Sequence, residues 1–216
     1  MLVAYICLIV VIILISMMLH ELAHGYVAYL LGDDTAKMLG RLSFNPIHHI
    51  DPFMTILLPV SIAIINMTTG AAMPIFGGAK PVPFNPNNVK YGEVGVAILS
   101  IAGPLTNFLL AMVFFALFKL FNMSEADFLG SVVSLIVSVN LGFFAFNLLP
   151  IPPLDGSRVL YAIAPDFMRR ILEHIEAYGA MFIFLIVMVA SPVITTYISF
   201  MIEISYNLFN ILFAWL

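Results

Sequence analysis

Residues 20–24 of the chain read HELAH, so two histidines lie four residues apart with a glutamate between them. On a helix, side chains at i and i+4 project from one face, so His20 and His24 can bind the same ion. The pattern H-E-x-x-H is typical of zinc-dependent hydrolysis, in which both imidazoles bind Zn²⁺ and the glutamate activates a water molecule. Glu21 is therefore the candidate general base. The alternative is a pair of interfacial histidines with Glu21 near a lipid headgroup.

A catalytic zinc ion normally has three protein ligands and one open position, so a third ligand is needed. The main candidates outside the first helix are His48, His49, Asp51, Asp155 and His174. His49 and Asp51 lie beside Asn-Pro and Asp-Pro pairs, which are typical of turns, and we interpret them as structural. His174 has charged neighbours on both sides, and we expect it to be solvated.

Asp155 follows the stretch PIPPL, residues 150–154, in which three prolines prevent a helix from continuing. Irregular backbone at membrane depth is tolerated only where it is buried in protein or lines a cavity. An Asp-Gly turn at the membrane surface is the alternative. Because HELAH is predicted on the same side of the membrane, we interpret Asp155 as the third ligand.

The composition shows what kind of structure must hold these side chains. The chain has 216 residues, of which 62% are hydrophobic and 9% are charged, and its mean hydropathy is +1.10. A soluble domain carries about 25% charged residues, so this composition indicates a polytopic membrane protein. The net charge of −4 offers no basic surface for nucleic acid. The single cysteine, Cys7, cannot form an internal disulfide.

Several apolar runs reach the roughly 20 residues that a bilayer-spanning helix needs. A first helix is predicted to run to about Leu31, and further helices are predicted at 94–121, 129–149, 176–191 and 193–216. The fold class is therefore all-α and polytopic, with about five to six transmembrane helices. Residues 53–76 are predicted to form a re-entrant or broken segment, and short extended segments are expected near 40–45 and 78–86. We predict one membrane-embedded domain over 1–216, with a core at about 1–160 and a C-terminal helical pair at about 175–216.

The basic residues predict the orientation of the chain in the membrane. Seven of the eight Lys and Arg residues fall in three loops, and the positive-inside rule predicts that all three are cytoplasmic. This arrangement requires an external N-terminus and a segment 53–76 that leaves and enters on the same side. The candidate site then faces the cytoplasmic side of the cell membrane.

The chain resembles the site-2 protease family of intramembrane zinc metalloproteases. The resemblance rests on HELAH at 20–24, on NLLPIPPLDG at 147–156 and on GPLTN at 103–107. The segments at 40–52 and 76–88 are similar to those of a compact bacterial or archaeal subgroup without a PDZ domain. The match covers roughly residues 12–160.

The resemblance implies a fold, an activity and a role for each matching residue. His20, His24 and Asp155 would bind one Zn²⁺ per chain, and Glu21 would be the general base. Asn147 matches a family asparagine that helps to position the substrate or its oxyanion. The substrate would be a single-span membrane protein cleaved within or near its transmembrane segment, as in regulated intramembrane proteolysis. The implied partners are that substrate and the lipid bilayer.

Four further residues are candidates for supporting roles. Asn140 lies on the same helix face as Asn147, and it would assist the substrate or hydrogen-bond a neighbouring helix. Asn107 has the same two interpretations. Lys80 and Val82 lie in KPVPF, an extended segment that could pair with an unwound substrate by strand addition, although each proline removes a donor.

Two other functions compete with the protease. A metal transporter also needs intramembrane His and Asp, but it predicts ligands along the whole membrane normal. A catalytically silent relative would bind membrane partners only, and it gives no reason for both histidines, Glu21 and Asp155 to be present. The sequence predicts no particular oligomeric state.

Overall fold

The computed structural model describes residues 2–57, 60, 61, 64, 68 and 80–215, and these residues form helices and connecting segments with no strand. The α-helices are α1 (Leu2–Leu30), α2 (Thr35–Met38), α3 (Gly92–Leu120), α4 (Phe128–Asn147), α5 (Asp155–Ile163), α6 (Asp166–Glu176), α7 (Gly179–Val189) and α8 (Ser191–Leu212). The predicted all-α class is confirmed. Helices α3 and α4 begin and end within about two residues of the predicted bounds, and α1 ends one residue before the predicted Leu31.

Three helices are long and apolar enough to cross a membrane, and they cover Cys7–Leu30, Gly92–Leu120 and Phe128–Asn147. A fourth span results if α6 and α7, which meet at a 94° bend, are counted as one. The described residues therefore offer three to four spans rather than the predicted five to six. The helix α8 has 22 residues, but polar side chains such as Glu203 and Asn207 lower its hydropathy. Most of the predicted re-entrant segment 53–76 lies outside the described residues.

The middle of the protein is α3, which packs against α1, α4 and α5. Toward its C-terminal end, α3 contacts α4 and α8 through the apolar cluster of Ala111, Phe115, Val137, Leu141 and Phe209. Toward its N-terminal end, it contacts α1 through Ala28, Val96 and Leu99. Between these two clusters lie the buried polar residues that form the candidate site.

A buried carboxylate fixes the chain where it leaves α1. Asp33 is fully buried and accepts hydrogen bonds from Thr35, from the backbone amide of Asn85 at 2.7 Å and from the side chain of Asn88 at 3.3 Å. The adjacent Gly32 has φ of +101°, a conformation that residues with a side chain rarely adopt. This clasp holds the segment that precedes α3 against the end of α1.

The two segments predicted as extended are irregular backbone where the structure describes them, at 40–45 and 80–86, apart from the first residue of a short 3₁₀ turn at Pro86–Asn88. They lie side by side, because Arg41 donates from Nη2 to the carbonyls of Lys80 at 3.1 Å and Pro81 at 3.4 Å. The amide of Lys80 donates to the carbonyl of His49 at 2.8 Å. These contacts place the segment 80–84 across α1.

Candidate metal centre

His20 and His24 project from the same face of α1 toward α3, as their spacing predicts. Both side chains are buried, and their Nε2 atoms lie 3.0 Å apart. In a transmembrane helix, ionisable side chains of this kind are costly unless they have partners. Those partners come from two other helices, α3 and α5.

Asp155, the first residue of α5, brings its carboxylate to the two imidazoles. Its Oδ2 lies 3.1 Å from Nε2 of His20 and 3.3 Å from Nε2 of His24. Within the described part of the chain, these three side chains are the one group of His, Cys, Asp or Glu whose ligand atoms converge in this way. The backbone before Asp155 is irregular, and Gly156 packs against the carbonyls of Leu148 and Leu149 more closely than any Cβ could. This close approach carries Asp155 back from the end of α4 to α1.

The hydrogen bonds of the other ring nitrogens determine the tautomers. Nδ1 of His24 lies 2.8 Å from the backbone carbonyl of Leu99, which can only accept, so Nδ1 carries the hydrogen and Nε2 presents a lone pair. Nδ1 of His20 lies 2.6 Å from Oδ1 of Asn107, and the same reasoning applies. Both Nε2 atoms therefore present lone pairs toward each other and toward a carboxylate.

This arrangement of donors fits a zinc ion. Two imidazole nitrogens and a carboxylate oxygen are among the usual zinc ligands, and bonds of 2.0–2.1 Å in a tetrahedron place ligand atoms about 3.3 Å apart. The three separations in the structure are 3.0, 3.1 and 3.3 Å. Oδ2 of Asp155 is buried and has no hydrogen-bond donor among the described residues. A cation bound by all three atoms accounts for the three converging electron pairs.

One face of α3 is shaped to the two histidines. Leu99, Gly103 and Asn107 are spaced at i, i+4 and i+8, so they line one side of this helix. The outer two accept hydrogen bonds from His24 and His20, and a Cβ on Gly103 would collide with both rings. Of these three residues, the sequence indicated Gly103 and Asn107 through the GPLTN motif, whereas the carbonyl of Leu99 carries no signal in the sequence.

Glu21 lies next to His20 on α1 and is half-buried. Its Oε2 accepts a hydrogen bond of 2.8 Å from the backbone amide of Val82, in the segment that crosses α1. Gly25, one turn further along α1, allows this crossing, because a Cβ there would collide with the side chains of Leu42 and Val82. One oxygen of the carboxylate is therefore held by the protein.

The residues predicted to contact the substrate have hydrogen-bond partners within the protein. In the segment 80–84, the amides of Lys80 and Val82 are already used, and the two prolines have none. Asn147, at the end of α4, is half-buried and donates to the carbonyl of Phe143 at 3.1 Å. Asn140 is buried and bonds to Asn107 of the neighbouring helix, one of the two interpretations that its sequence position allowed.

The other candidate ligands are not part of this cluster. His49 is buried in the loop after α2, where its Nε2 donates to the carbonyl of Ser43 at 2.9 Å. His48 and His174 are exposed. Asp51 is half-buried, and its backbone amide donates to the hydroxyl of Thr55 at 3.0 Å.

The chain is similar to known proteins over most of its length. The model of a family described as Peptidase family M50 matches residues 8–127 and 121–191. The protein named "Putative zinc metalloprotease YwhC" of Bacillus subtilis (strain 168) is 39% identical over 190 residues, which cover 85% of this chain and 80% of that protein. The protein named "Putative zinc metalloprotease Rip2" of Mycolicibacterium smegmatis is 28% identical over 179 residues, which cover 83% of this chain and 65% of that protein. No solved structure matches significantly.

Proposed function

The chain belongs to peptidase family M50, and we propose that it is an intramembrane zinc endopeptidase. It hydrolyses a peptide bond within or near the transmembrane segment of a single-span membrane protein, in a step of regulated intramembrane proteolysis. One zinc ion per chain is held by His20, His24 and Asp155. The observation that carries this proposal is the convergence of these three ligand atoms beside Glu21, among helices that are long and apolar enough to span a membrane.

Zinc, when bound, supplies a Lewis acid that polarises the scissile carbonyl and makes water acidic enough to ionise near neutral pH. The protein's own residues then direct the proton. Glu21 takes it from the attacking water as the new C–O bond forms, and it delivers that proton to the leaving amine as the C–N bond breaks. The carboxylate has two oxygens, and because Val82 holds one of them, the other is oriented for this transfer.

Asn147 is proposed to assist the developing negative charge on the scissile carbonyl. An amide nitrogen carries two hydrogens, so the bond to Phe143 leaves a second one to donate. A preorganised donor of this kind contributes to catalysis where charge develops. Lys80 and Val82 remain candidates for substrate binding. If a substrate paired with the backbone amide of Val82, the hydrogen bond from this amide to Glu21 would be broken.

The geometry weighs against the transporter. An ion pathway needs ligands in series across the membrane, but the described residues hold a single cluster of three converging ligand atoms. A silent binding protein would not need Glu21 to be held by a backbone amide beside the ligands. We also propose that the centre faces the cytoplasmic side, because the basic residues of the chain are concentrated in three loops.

The decisive experiment compares Glu21→Gln with wild type in lipid vesicles, with a single-span substrate whose helix is destabilised. The amide keeps the size of the side chain and removes the base, so cleavage should fall by about 10²–10⁴. Zinc content should stay unchanged. Glu93→Gln, at an exposed position in the first turn of α3, is the matched control and should cleave at the wild-type rate. Cleavage by Glu21→Gln at the wild-type rate would refute the mechanism.

A further inference from the structure

A chain of buried polar side chains continues from His20 into the bundle, away from Asp155. It consists of Asn107 on α3, Asn140 on α4 and Ser16 on α1, none of which exposes more than 4% of its surface. Asn107 donates from Nδ2 to Oδ1 of Asn140 at 2.9 Å and to the backbone carbonyl of Ser16 at 3.5 Å. Asn140 donates from its own Nδ2 to Oγ of Ser16 at 3.0 Å and to the carbonyl of Ile136 at 2.9 Å. Buried polar groups in membranes need partners, and this network supplies them from three helices.

The directions of the bonds in this network follow from two backbone carbonyls, that of Ile136 beside Asn140 and that of Ser16 beside Asn107. The backbone carbonyl of Ile136 can only accept, so Asn140 must turn its NH₂ group toward it. The oxygen of Asn140 is then left facing Asn107. Because that oxygen also can only accept, Asn107 must turn its NH₂ group toward Asn140 and its oxygen toward His20.

The side-chain oxygen of Asn107 in turn determines which ring nitrogen of His20 has a lone pair available to bind metal. An acceptor at Nδ1 requires the hydrogen to be on Nδ1, which leaves the lone pair on Nε2, the atom that faces His24 and Asp155. If the amide of Asn107 were reversed, its NH₂ group would face Nδ1. The hydrogen would then be on Nε2, and the imidazole could not act as a ligand.

We propose that Asn140 and Asn107 are positioning residues for the metal centre, and that the orientation of their amides, set by the carbonyls of Ile136 and Ser16, holds His20 in its ligand tautomer. The inference rests on the proposed function only in requiring that His20 binds zinc. Outer-shell partners of this kind typically change metal affinity by 10–100-fold. The role of Asn140 is unusual in that it acts through a second amide rather than directly on the imidazole.

The test measures the zinc dissociation constant by chelator competition on the purified full chain in detergent, with three variants. Asn140→Leu removes the acceptor that lies 2.9 Å from Asn107 and leaves it only the carbonyl of Ser16 at 3.5 Å, so zinc affinity should fall by about 10–100-fold. Asn140→Asp keeps an acceptor toward Asn107, and a protonated carboxyl can still donate to Ile136, so affinity should stay within about threefold of wild type. Val137→Ala perturbs the same buried face of α4 outside the network, and it should lower thermal stability without changing zinc affinity.

The comparison separates positioning from simple packing. A structural role would make Asn140→Leu resemble Val137→Ala, with a lower melting temperature and unchanged zinc affinity, and that result would overturn the inference. If Asn140→Leu does not fold, Asn140→Ala replaces it, with Val137→Ala as the matched cavity. A wild-type chain that binds no zinc refutes the proposed function instead, so the two failures are distinguishable.

Discussion

The two halves of helix α3 have different kinds of neighbour. From Leu99 to Asn107, the helix faces the histidines of α1 through a carbonyl, a glycine and an amide. From Phe108 to Phe115, the same helix faces α4 and α8 through aromatic rings, whose centroids lie 4.9–5.5 Å apart in the contacts of Phe108 with Phe144 and of Phe209 with Phe108 and Phe115. The contacts of the first half depend on the direction of hydrogen bonds, whereas those of the second half depend on how well apolar side chains fill the space between the helices.

This difference has a consequence for substitutions. A hydrogen bond to a ligand is either made with the correct polarity or lost, and a buried group that is left unpaired costs about 1–3 kcal/mol. Apolar packing tolerates changes of shape when the total volume is kept, with losses below about 1.5 kcal/mol. We therefore expect abrupt effects on zinc binding in the first half and small effects on stability in the second.

The largest effect is expected for Gly103→Ala. A Cβ at this position would lie closer than 3.0 Å to both imidazoles, so the rings must move away from the ligand geometry. Zinc affinity should fall by more than about 100-fold, beyond the usual range for a lost outer-shell partner. Gly142→Ala on α4 is the matched control, because a Cβ there meets nothing within 4 Å. Equal zinc affinity in the two variants would contradict the close packing of α3 on the histidines.

The next effect is on catalysis alone, in Val82→Pro. Proline has no amide hydrogen, so the bond that holds Oε2 of Glu21 is lost while the ligands stay in place. Cleavage should fall by about 10-fold to 10²-fold, the range expected when a catalytic group is displaced, and zinc content should not change. Val82→Ala keeps the amide and should be much less affected. If both variants cleave equally well, the amide of Val82 does not position the base.

A smaller effect on stability is expected for Asp33→Asn, which removes the buried carboxylate that follows the C-terminal end of α1. Burial of Asp33 opposes its ionisation, but hydrogen bonds from Thr35, Asn85 and Asn88 outweigh it and hold its pKa below the usual 3.8. The ionised form therefore stabilises the fold above about pH 4, and this contribution is lost as the pH falls through the lowered pKa. The melting temperature of zinc-free Asp33→Asn should lie below that of wild type at pH 7, and the gap should narrow below pH 4. A gap that does not vary with pH would exclude the ionised carboxylate as its cause.

The smallest effect is expected in the aromatic half, for Phe209→Leu. Phe209 is fully buried on α8 against Phe108 and Phe115, and leucine keeps most of its volume. Stability should fall by about 1 kcal/mol, measured as a small shift in melting temperature, with zinc affinity and cleavage unchanged. A change in zinc affinity as large as that of Gly103→Ala would mean that the two halves of α3 are coupled.

The convergence of His20, His24 and Asp155 could be predicted from the sequence, because ionisable side chains at membrane depth are costly and are easily recognised in an apolar chain. The apolar run at the N-terminus is interrupted by His20, Glu21 and His24, and Asp155 follows three prolines. Such side chains and irregular backbone are rare at membrane depth unless they have partners or a function. The long helices were equally predictable from the length of their apolar runs. The C-terminal pair was less so, because α8 mixes polar residues with apolar ones and its place in the bundle depends on contacts such as that of Phe209.

The hydrogen-bond partners of His20, His24 and Glu21 could not be predicted from the sequence. The bond between His20 and Asn107 joins residues 87 positions apart, and that between Val82 and Glu21 joins residues 61 positions apart. An asparagine in an apolar run looks the same whether it contacts substrate or a neighbouring helix, so both interpretations of Asn140 were open. The carbonyl of Leu99 belongs to the backbone and leaves no mark in the sequence at all.

The residues of the site lie far apart in the sequence, so they are synthesised at different times. His20 and His24 are synthesised before their partners, because Asn107 follows His20 by 87 residues and Asp155 comes later still. At about 5–20 residues per second, α1 therefore waits roughly 5–30 s before its histidines can meet the carboxylate. During this time the histidines of α1 lack the partners that the later helices supply. The centre can form only after α3, α4 and the start of α5 have been synthesised.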